Sequence, residues 1–260
     1  MNILILGDVV GKPGRDAIAA LLPQIIKKHK IDFTIVNIEN AAGGAGITPK
    51  VVDELSGAGV DVLTTGDHIW DRREILDIVD IKENLLRPAN YPDGTPGKGY
   101  CVIEKDKNFI GVLNVQGRVF MKPAVDCPFK KATEIIAKIK TKTPIIIVDM
   151  HAEATSEKIA LGHFLDGQVS AVVGTHTHVQ TADEKILPQG TAYITDIGMC
   201  GPCDSVIGQR KEKIIERFLT SMPLRFEVAS EDVQLQGAII EIDEKSGKAK
   251  KIERIIKKVK

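Results

Sequence analysis

Short apolar runs alternate with helix-period stretches along most of the chain. Residues 3–6 form a compact apolar run, followed by a Gly11-Lys12-Pro13-Gly14 loop. Ile18, Leu21, Leu22, Ile25 and Ile26 then fall on one side of a predicted helix over 17–28. Residues 33–38 and 60–65 read as further strands. Between them, Thr48 followed by Pro49 fits an N-cap with proline in the first helical position, opening a helix to about residue 57. A helix is expected over 72–79. Residues 84–128 change character: Pro88, Pro92, Gly94, Pro96, Gly97 and Gly99 frame a loop before two antiparallel strands at 100–104 and 108–115. Helices at 129–140 and 154–164 then alternate with strands at 145–148 and 169–173. The end is strand-rich (191–194, 226–228, 232–242, 249–256), interrupted by a helix at 209–220. Parallel βαβ units with a β-rich second half predict an α/β protein of two stacked sheets flanked by helices.

Composition narrows the class. With 260 residues, the chain is long enough to bury a large core without disulfide staples, and its four cysteines are too scattered for a secreted disulfide framework. Lys plus Arg equals Asp plus Glu at 35 each, which argues against a broadly cationic nucleic-acid surface. No apolar run reaches 18 residues and no leader pattern opens the chain, so the sequence reads as a soluble cytoplasmic protein with no membrane partner.

The candidate chemistry stands at the carboxyl end of each apolar run. Asp8 succeeds the first, Glu39-Asn40 the second, Asp67-His68 the third, Asp149 and His151 a later one, and His176 and His178 the next. Parallel strands of one sheet bring their carboxyl ends to one edge, where α/β proteins bind ligands. Singly, such an Asp caps a turn and such a His satisfies a core hydrogen bond. Jointly, carboxylates and imidazoles from five segments predict a metal centre, with His176 and His178 on one side of an extended backbone. Oxygen and nitrogen donors without thiolates suit iron, manganese or zinc, and the donors outnumber what one tetrahedral ion needs. Two ions sharing a carboxylate would clamp a phosphoryl transfer.

Gly7-Asp8, Gly66-Asp67-His68 and Gly174-Thr175-His176-Thr177-His178 resemble the signature blocks of the calcineurin-like binuclear metallophosphoesterases. The longer runs from Gly7 to Gly11, from Asn37 to Thr48 and from Thr195 to Met199 resemble the YmdB-type bacterial phosphodiesterases. The resemblance implies a four-layer α/β/β/α sandwich, a single domain over 1–260 with 84–128 as a cap or insertion segment, and self-association. It implies one metal held by Asp8, Glu39 and His178 with Asn40 beside it, and a second held by Glu39, Asp67, His151 and His176. Iron leads as the metal, ahead of manganese or zinc. His68 is implied as general acid for hydroxide attack on a small-molecule phosphodiester, a 2′,3′- or 3′,5′-cyclic nucleoside monophosphate. Two positions depart from the wider pattern. Val10 stands where the superfamily usually has a His ligand, and Asp67 stands where the family usually has Asn, so Asp8, Glu39 and Asp67 bring −3 rather than −2.

Other signals carry alternatives. The Gly43-Gly44-Ala45-Gly46 loop reads equally as a phosphate contact, with Asn40, and as a tight turn before a helix. Thr195-Asp196 is placed either to orient a ligand histidine or to cap a loop. Cys200-Gly201-Pro202-Cys203 matches a redox tetrapeptide, with buried free thiols the plainer reading. Trp70 walls the site or packs in the core, and His29 and His163 read as helix ends. From 244 to 260, eight Lys or Arg against two acids read as a solvated face or a weak RNA contact. A metal-binding regulator acting through RNA or a protein partner, with little catalysis, is the competing function.

Overall fold

A computed structural model describes residues 1–259. Two sheets form the frame. The first has eight strands, in the order β2 (Asp8–Val9), β12 (Met199–Pro202), β13 (Val233–Ile242), β1 (Asn2–Leu6), β3 (Phe33–Asn37), β4 (Val62–Thr64) and β5 (Leu85–Leu86), with β14 (Ala249–Lys258) also paired to β13. The second runs β10 (Lys185–Ile186), β11 (Ala192–Ile194), β9 (Ala171–Thr175), β8 (Ile146–His151), β7 (Asn108–Gln116), β6 (Tyr100–Lys105). Strands β1, β3, β4 and β5 are parallel, as are β7, β8, β9 and β11. The β6–β7 hairpin forms an edge of the second sheet.

Strand periodicity sorts the apolar side chains into three clusters. Leu4, Leu6, Val36 and Leu63 pack on Ile18 and Leu22 of α1 (Gly11–His29) and on Val52 and Leu55 of α2 (Pro49–Gly57). The alternate residues, Ile3, Ile5, Ile35 and Val62, face Val112, Ile147, Val173 and Ile194 of the other sheet. The far side of that sheet, with Leu113, Ile146, Val148 and Val172, packs on Ile135 and Ile136 of α3 (Pro128–Ile139) and Leu161 of α4 (Thr155–Phe164). Helix α5 (Lys211–Thr220) buries only Ile214. Thr48 caps α2 as expected, its side chain accepting from the Val51 N–H, with Pro49 in the first turn. Among the described residues, no helix is long and apolar enough to cross a membrane.

Three local expectations need correction. Gly11-Lys12-Pro13-Gly14 is the first turn of α1, not a loop. Glycine is needed at position 14 because a Cβ there would overlap the Cys200 carbonyl oxygen of β12. The helix expected over 72–79 is a 3₁₀ turn, Arg73–Asp77, with only Ile75 buried, too short a piece for α-helical bonding to propagate. No strand forms over 226–228; Val228 makes a lone bridge to Gln209, with no ladder beyond it.

Candidate metal centre

The parallel strands of both sheets end at one edge, and their chemistry meets there. Glu39, Asp67, His151 and His176 bring one donor atom each within 4.8 Å of one another, and so do Asp8, Glu39 and His178. Glu39 belongs to both groups. Within the first, His151 Nε2 stands 3.1 Å from Glu39 Oε2 and 3.2 Å from Asp67 Oδ1, and His176 Nδ1 stands 3.0 Å from His151 Nε2. Asp8, Glu39 and His151 are fully buried. This density depends on Gly66, where a Cβ would overlap both Glu39 Oε2 and His151 Nε2.

The outer nitrogen of each histidine has its own acceptor. Thr175 Oγ1 donates to Asp149 Oδ1 at 2.7 Å, so at 2.9 Å it accepts from the His151 Nδ1–H. His178 Nδ1 donates to the Ile207 carbonyl at 2.9 Å, and His176 Nε2 faces Glu153 Oε2 at 3.2 Å. These contacts orient the rings and turn the other ring nitrogen of each inward, as a metal ligand requires. Asp149 is itself fully buried and accepts from Thr64 Oγ1 and Asn37 Nδ2; burial raises its pKa against those bonds.

The cage fits cations better than it fits itself. His151 Nε2 and His176 Nδ1 meet at 3.0 Å among the carboxylates of Glu39 and Asp67, and Asp8 Oδ1 is buried with no hydrogen-bond partner among the described residues. Burial drives the Asp8 carboxyl up to about 7, although His178 and His151 pull the other way. Burial also opposes charge on Glu39, but His151, His68 and His176 outweigh it and hold that carboxyl below its ordinary value. Burial pulls His151 down, yet Glu39, Asp67 and Asp8 raise it well above an ordinary histidine. His176 is pushed down to about 4 by burial and by His151. Buried carboxylates among inward imidazoles are the donor set that hard or borderline divalent ions neutralise.

A cavity of about 730 Å³ opens from the cage, lined by Glu39, Asn40, Gly44, His68, His176 and His178. His68 Nδ1 donates to Asp71 Oδ2 at 2.8 Å. Burial lowers its pKa, but Glu39, Asp67 and Asp71 more than offset this and leave it raised.

Against known proteins, the YmdB-like protein family matches residues 4–255. The chain belongs to the YmdB-like family. It is 54% identical over 256 residues to the 2′,3′-cyclic-nucleotide 2′-phosphodiesterase of Bacillus subtilis (strain 168), covering 98% of this chain and 97% of that protein. A crystal structure of a hypothetical protein from Thermus thermophilus superposes with a TM-score of 0.93 at 40% identity, covering 99% of both chains. The 5′-nucleotidase precursor of the same organism matches with a TM-score of 0.61 at 12% identity, covering 98% of this chain and 54% of that one, a likeness of fold.

Within this YmdB-like chain the seven residues read from sequence as metal ligands lie at one place. Asn40 Nδ2 is 3.0 Å from Glu39 Oε1 and 3.1 Å from His178 Nε2. The two histidines of the 176–178 segment do not share one side of an extended strand. His176 has φ 95° and His178 φ 63°, so the chain turns and delivers them to different donor groups. Asp196 holds that turn: its Oδ2 accepts from the Thr177 N–H at 3.2 Å and the Thr177 hydroxyl at 2.7 Å. Gly44 lines the cavity, but its N–H donates to the Asn40 carbonyl; Gly43 is exposed and outside the lining.

Cys200 lies inside β12, with its thiol pushed up to about 12 by burial, and burial raises Cys203 too, the opposite of a redox nucleophile. Trp70 packs against the first core cluster and edge-on to Tyr91. His29 and His163 close the last turns of α1 and α4. Of the C-terminal cations, Lys250, Lys251, Arg254 and Lys258 pair with Asp243, Glu253, Glu184 and Asp232. Sequence reading missed Glu153, Asp71 and Lys158 as supports of the site. Glu153 and Asp71 were signalled only by standing two and three residues after a candidate histidine.

Proposed function

We propose that this chain is a metal-dependent phosphodiesterase that opens 2′,3′-cyclic nucleoside monophosphates at the 2′ oxygen. The carrying observation is the pair of donor groups that share Glu39, one of them holding the buried Asp8 carboxylate, with Glu39, His176 and His178 opening onto a cavity. The B. subtilis relative, 54% identical, is named for that substrate and that bond, which favours it over a 3′,5′-cyclic diester. Asp8, Glu39 and His178, with Asn40, would hold one ion; Glu39, Asp67, His151 and His176 would hold the other. Iron is the leading choice, with manganese or zinc next. Bound there, two ions would polarise the phosphoryl oxygens and lower the pKa of water. The protein's own part is positioning and proton transfer. Thr175, Ile207 and Glu153 keep the imidazoles turned inward, and Asp71 holds His68 Nδ1. That leaves His68 Nε2 to protonate the departing 2′ oxygen. The three apolar clusters support a four-layer sandwich over 1–260, in which the 100–116 hairpin extends a sheet. A self-associating cytoplasmic enzyme is the setting of this reading.

The test is metal content together with hydrolysis of adenosine 2′,3′-cyclic monophosphate by wild type, His68→Ala and the Cys200→Ser/Cys203→Ser double variant. General acids contribute about 10²–10⁴-fold, so His68→Ala should lose turnover on that scale with metal retained, while the double variant keeps both. Metal without turnover in wild type supports instead the regulator that binds and does not cleave. Turnover indifferent to His68→Ala removes the general-acid assignment.

A further inference from the structure

The lining of the cavity above the cage holds two chemically different sets of side chains. One is the donor set, with Glu39, Asn40, His68, His176 and His178. The other is Ile207, Ile214, Phe218 and Phe226, with Arg217 as the one permanent cation of the lining among the described residues. The Arg217 guanidinium lies 4.8 Å from the centre of the Phe226 ring, a cation–π pair that presents a flat, partly charged surface. Phe218 is 80% exposed and Phe226 48% exposed, so neither ring is used in the core. α5, which carries Arg217 and Phe218, buries only Ile214. A folded chain in which only seven residues are Phe has placed two of them in the lining of the cavity that opens from the cage. The cavity, at about 730 Å³, falls within the about 300–1,000 Å³ typical of small-ligand sites.

Resting on the phosphodiesterase reading, we propose that the wall of Arg217, Phe218 and Phe226 receives the nucleobase of the substrate while the phosphodiester meets the donor set. A nucleotide offers the complement of both sets, an anionic phosphate for the donors and a flat π-face for the rings. Every base offers that face, and aromatic rings and guanidinium planes stack on it without reading hydrogen-bond edges. The wall therefore discriminates nucleotides from simple phosphodiesters more strongly than it discriminates one base from another, with purines favoured by their larger face. Phe218, Arg217 and Phe226 are specificity-determining residues on this account, and none acts on the reacting atoms.

The experiment measures calorimetric binding of two ligands to the metal-loaded full chain: adenosine 3′-monophosphate and 1-O-methylribose 3-phosphate, which lacks the base. Wild type, Phe226→Ala, Phe218→Ala and Phe226→Trp are compared. Removing one stacking ring should weaken nucleotide binding about tenfold. The base-free ligand should bind all four proteins alike, and Phe226→Trp should retain nucleotide affinity. Equal weakening for both ligands, or none for either, overturns the proposal. So does a Phe218→Ala protein that binds nucleotide normally but sediments as a smaller species than wild type, which assigns the wall to a second copy of the chain. Turnover of adenosine 2′,3′-cyclic monophosphate by wild type is read separately. Base-selective binding without turnover keeps the wall and removes the activity, and turnover without base selectivity does the reverse.

Discussion

Lys158 and Asp196 form an ion pair at 2.8 Å with 1% and 0% of their side chains exposed. Asp196 Oδ1 also accepts from the Gly198 N–H, and Oδ2 holds the Thr177 N–H and hydroxyl. Thr177 sits between His176 and His178, both in the left-handed region, where each non-glycine residue is held against a cost of about 1–3 kcal/mol. Lys158→Met replaces the ammonium with an apolar chain of similar length and leaves the Asp196 carboxylate buried without its cation. Breaking a buried pair from one side costs about 3–5 kcal/mol, which for a domain of this size lowers the melting temperature by about 5–10 °C. The site suffers as well. Lys158 acts through Asp196 on the turn that carries His176 and His178, so its loss should weaken metal affinity by less than the about 10–100-fold seen when a ligand's own hydrogen-bond partner is removed, read by competition with a chelating dye. Lys158→Met/Asp196→Leu separates the two effects: with both charges gone, much of the stability returns, while Thr177 stays unheld and metal affinity stays low. A Lys158→Met protein that melts within about 1 °C of wild type and binds metal equally would refute the reasoning, as would full metal affinity in the double variant.

Three further outcomes are expected. Gly66→Ala should abolish metal binding, because its Cβ would overlap Glu39 Oε2 and His151 Nε2; metal analysis showing normal content would mean the cage tolerates a methyl group there. Asp67→Asn takes the charge of Asp8, Glu39 and Asp67 from −3 to −2, so divalent-ion affinity should fall and turnover of an anionic diester rise; if metal titration and initial rates are both unchanged, the charge argument is wrong. The Cys200 thiol, pushed up to about 12, is about one part in ten thousand thiolate at pH 8. Thiolate is the reactive form, so labelling of Cys200, read by peptide mapping apart from the half-buried Cys127 and Cys203, should be very slow at pH 8, speed up as pH rises, and become fast on unfolding; rapid labelling of Cys200 in the native protein at pH 8 would contradict the burial account.

The order of residues along the chain was enough to mark most of the strands and the chemistry that ends each one. Apolar runs such as 3–6 and 33–38 are buried strands that run parallel to each other in a mixed sheet, and the donors Asp8, Glu39, Asp67, His151, His176 and His178 stand at or just beyond the ends of such runs. That much is local, because strand periodicity and the burial of alternate residues are properties of consecutive positions. Where local signals were weak they misled. Gly14 is glycine for close packing against β12, the 72–79 segment was too short to sustain an α-helix, and 226–228 found no partner strand. Packing of the folded chain, and nothing local, chose the acceptor that fixes each imidazole: Thr175 with Asp149 for His151, Glu153 for His176, Ile207 for His178. It also paired Lys158 with Asp196 and set Phe218 and Phe226 beside the cage. Such contacts join different strands and loops, and they arise from how two twisted sheets are stacked. A side chain two residues from a ligand and one far away in the chain are equally able to stand 3 Å from it, and periodicity along the chain does not distinguish them.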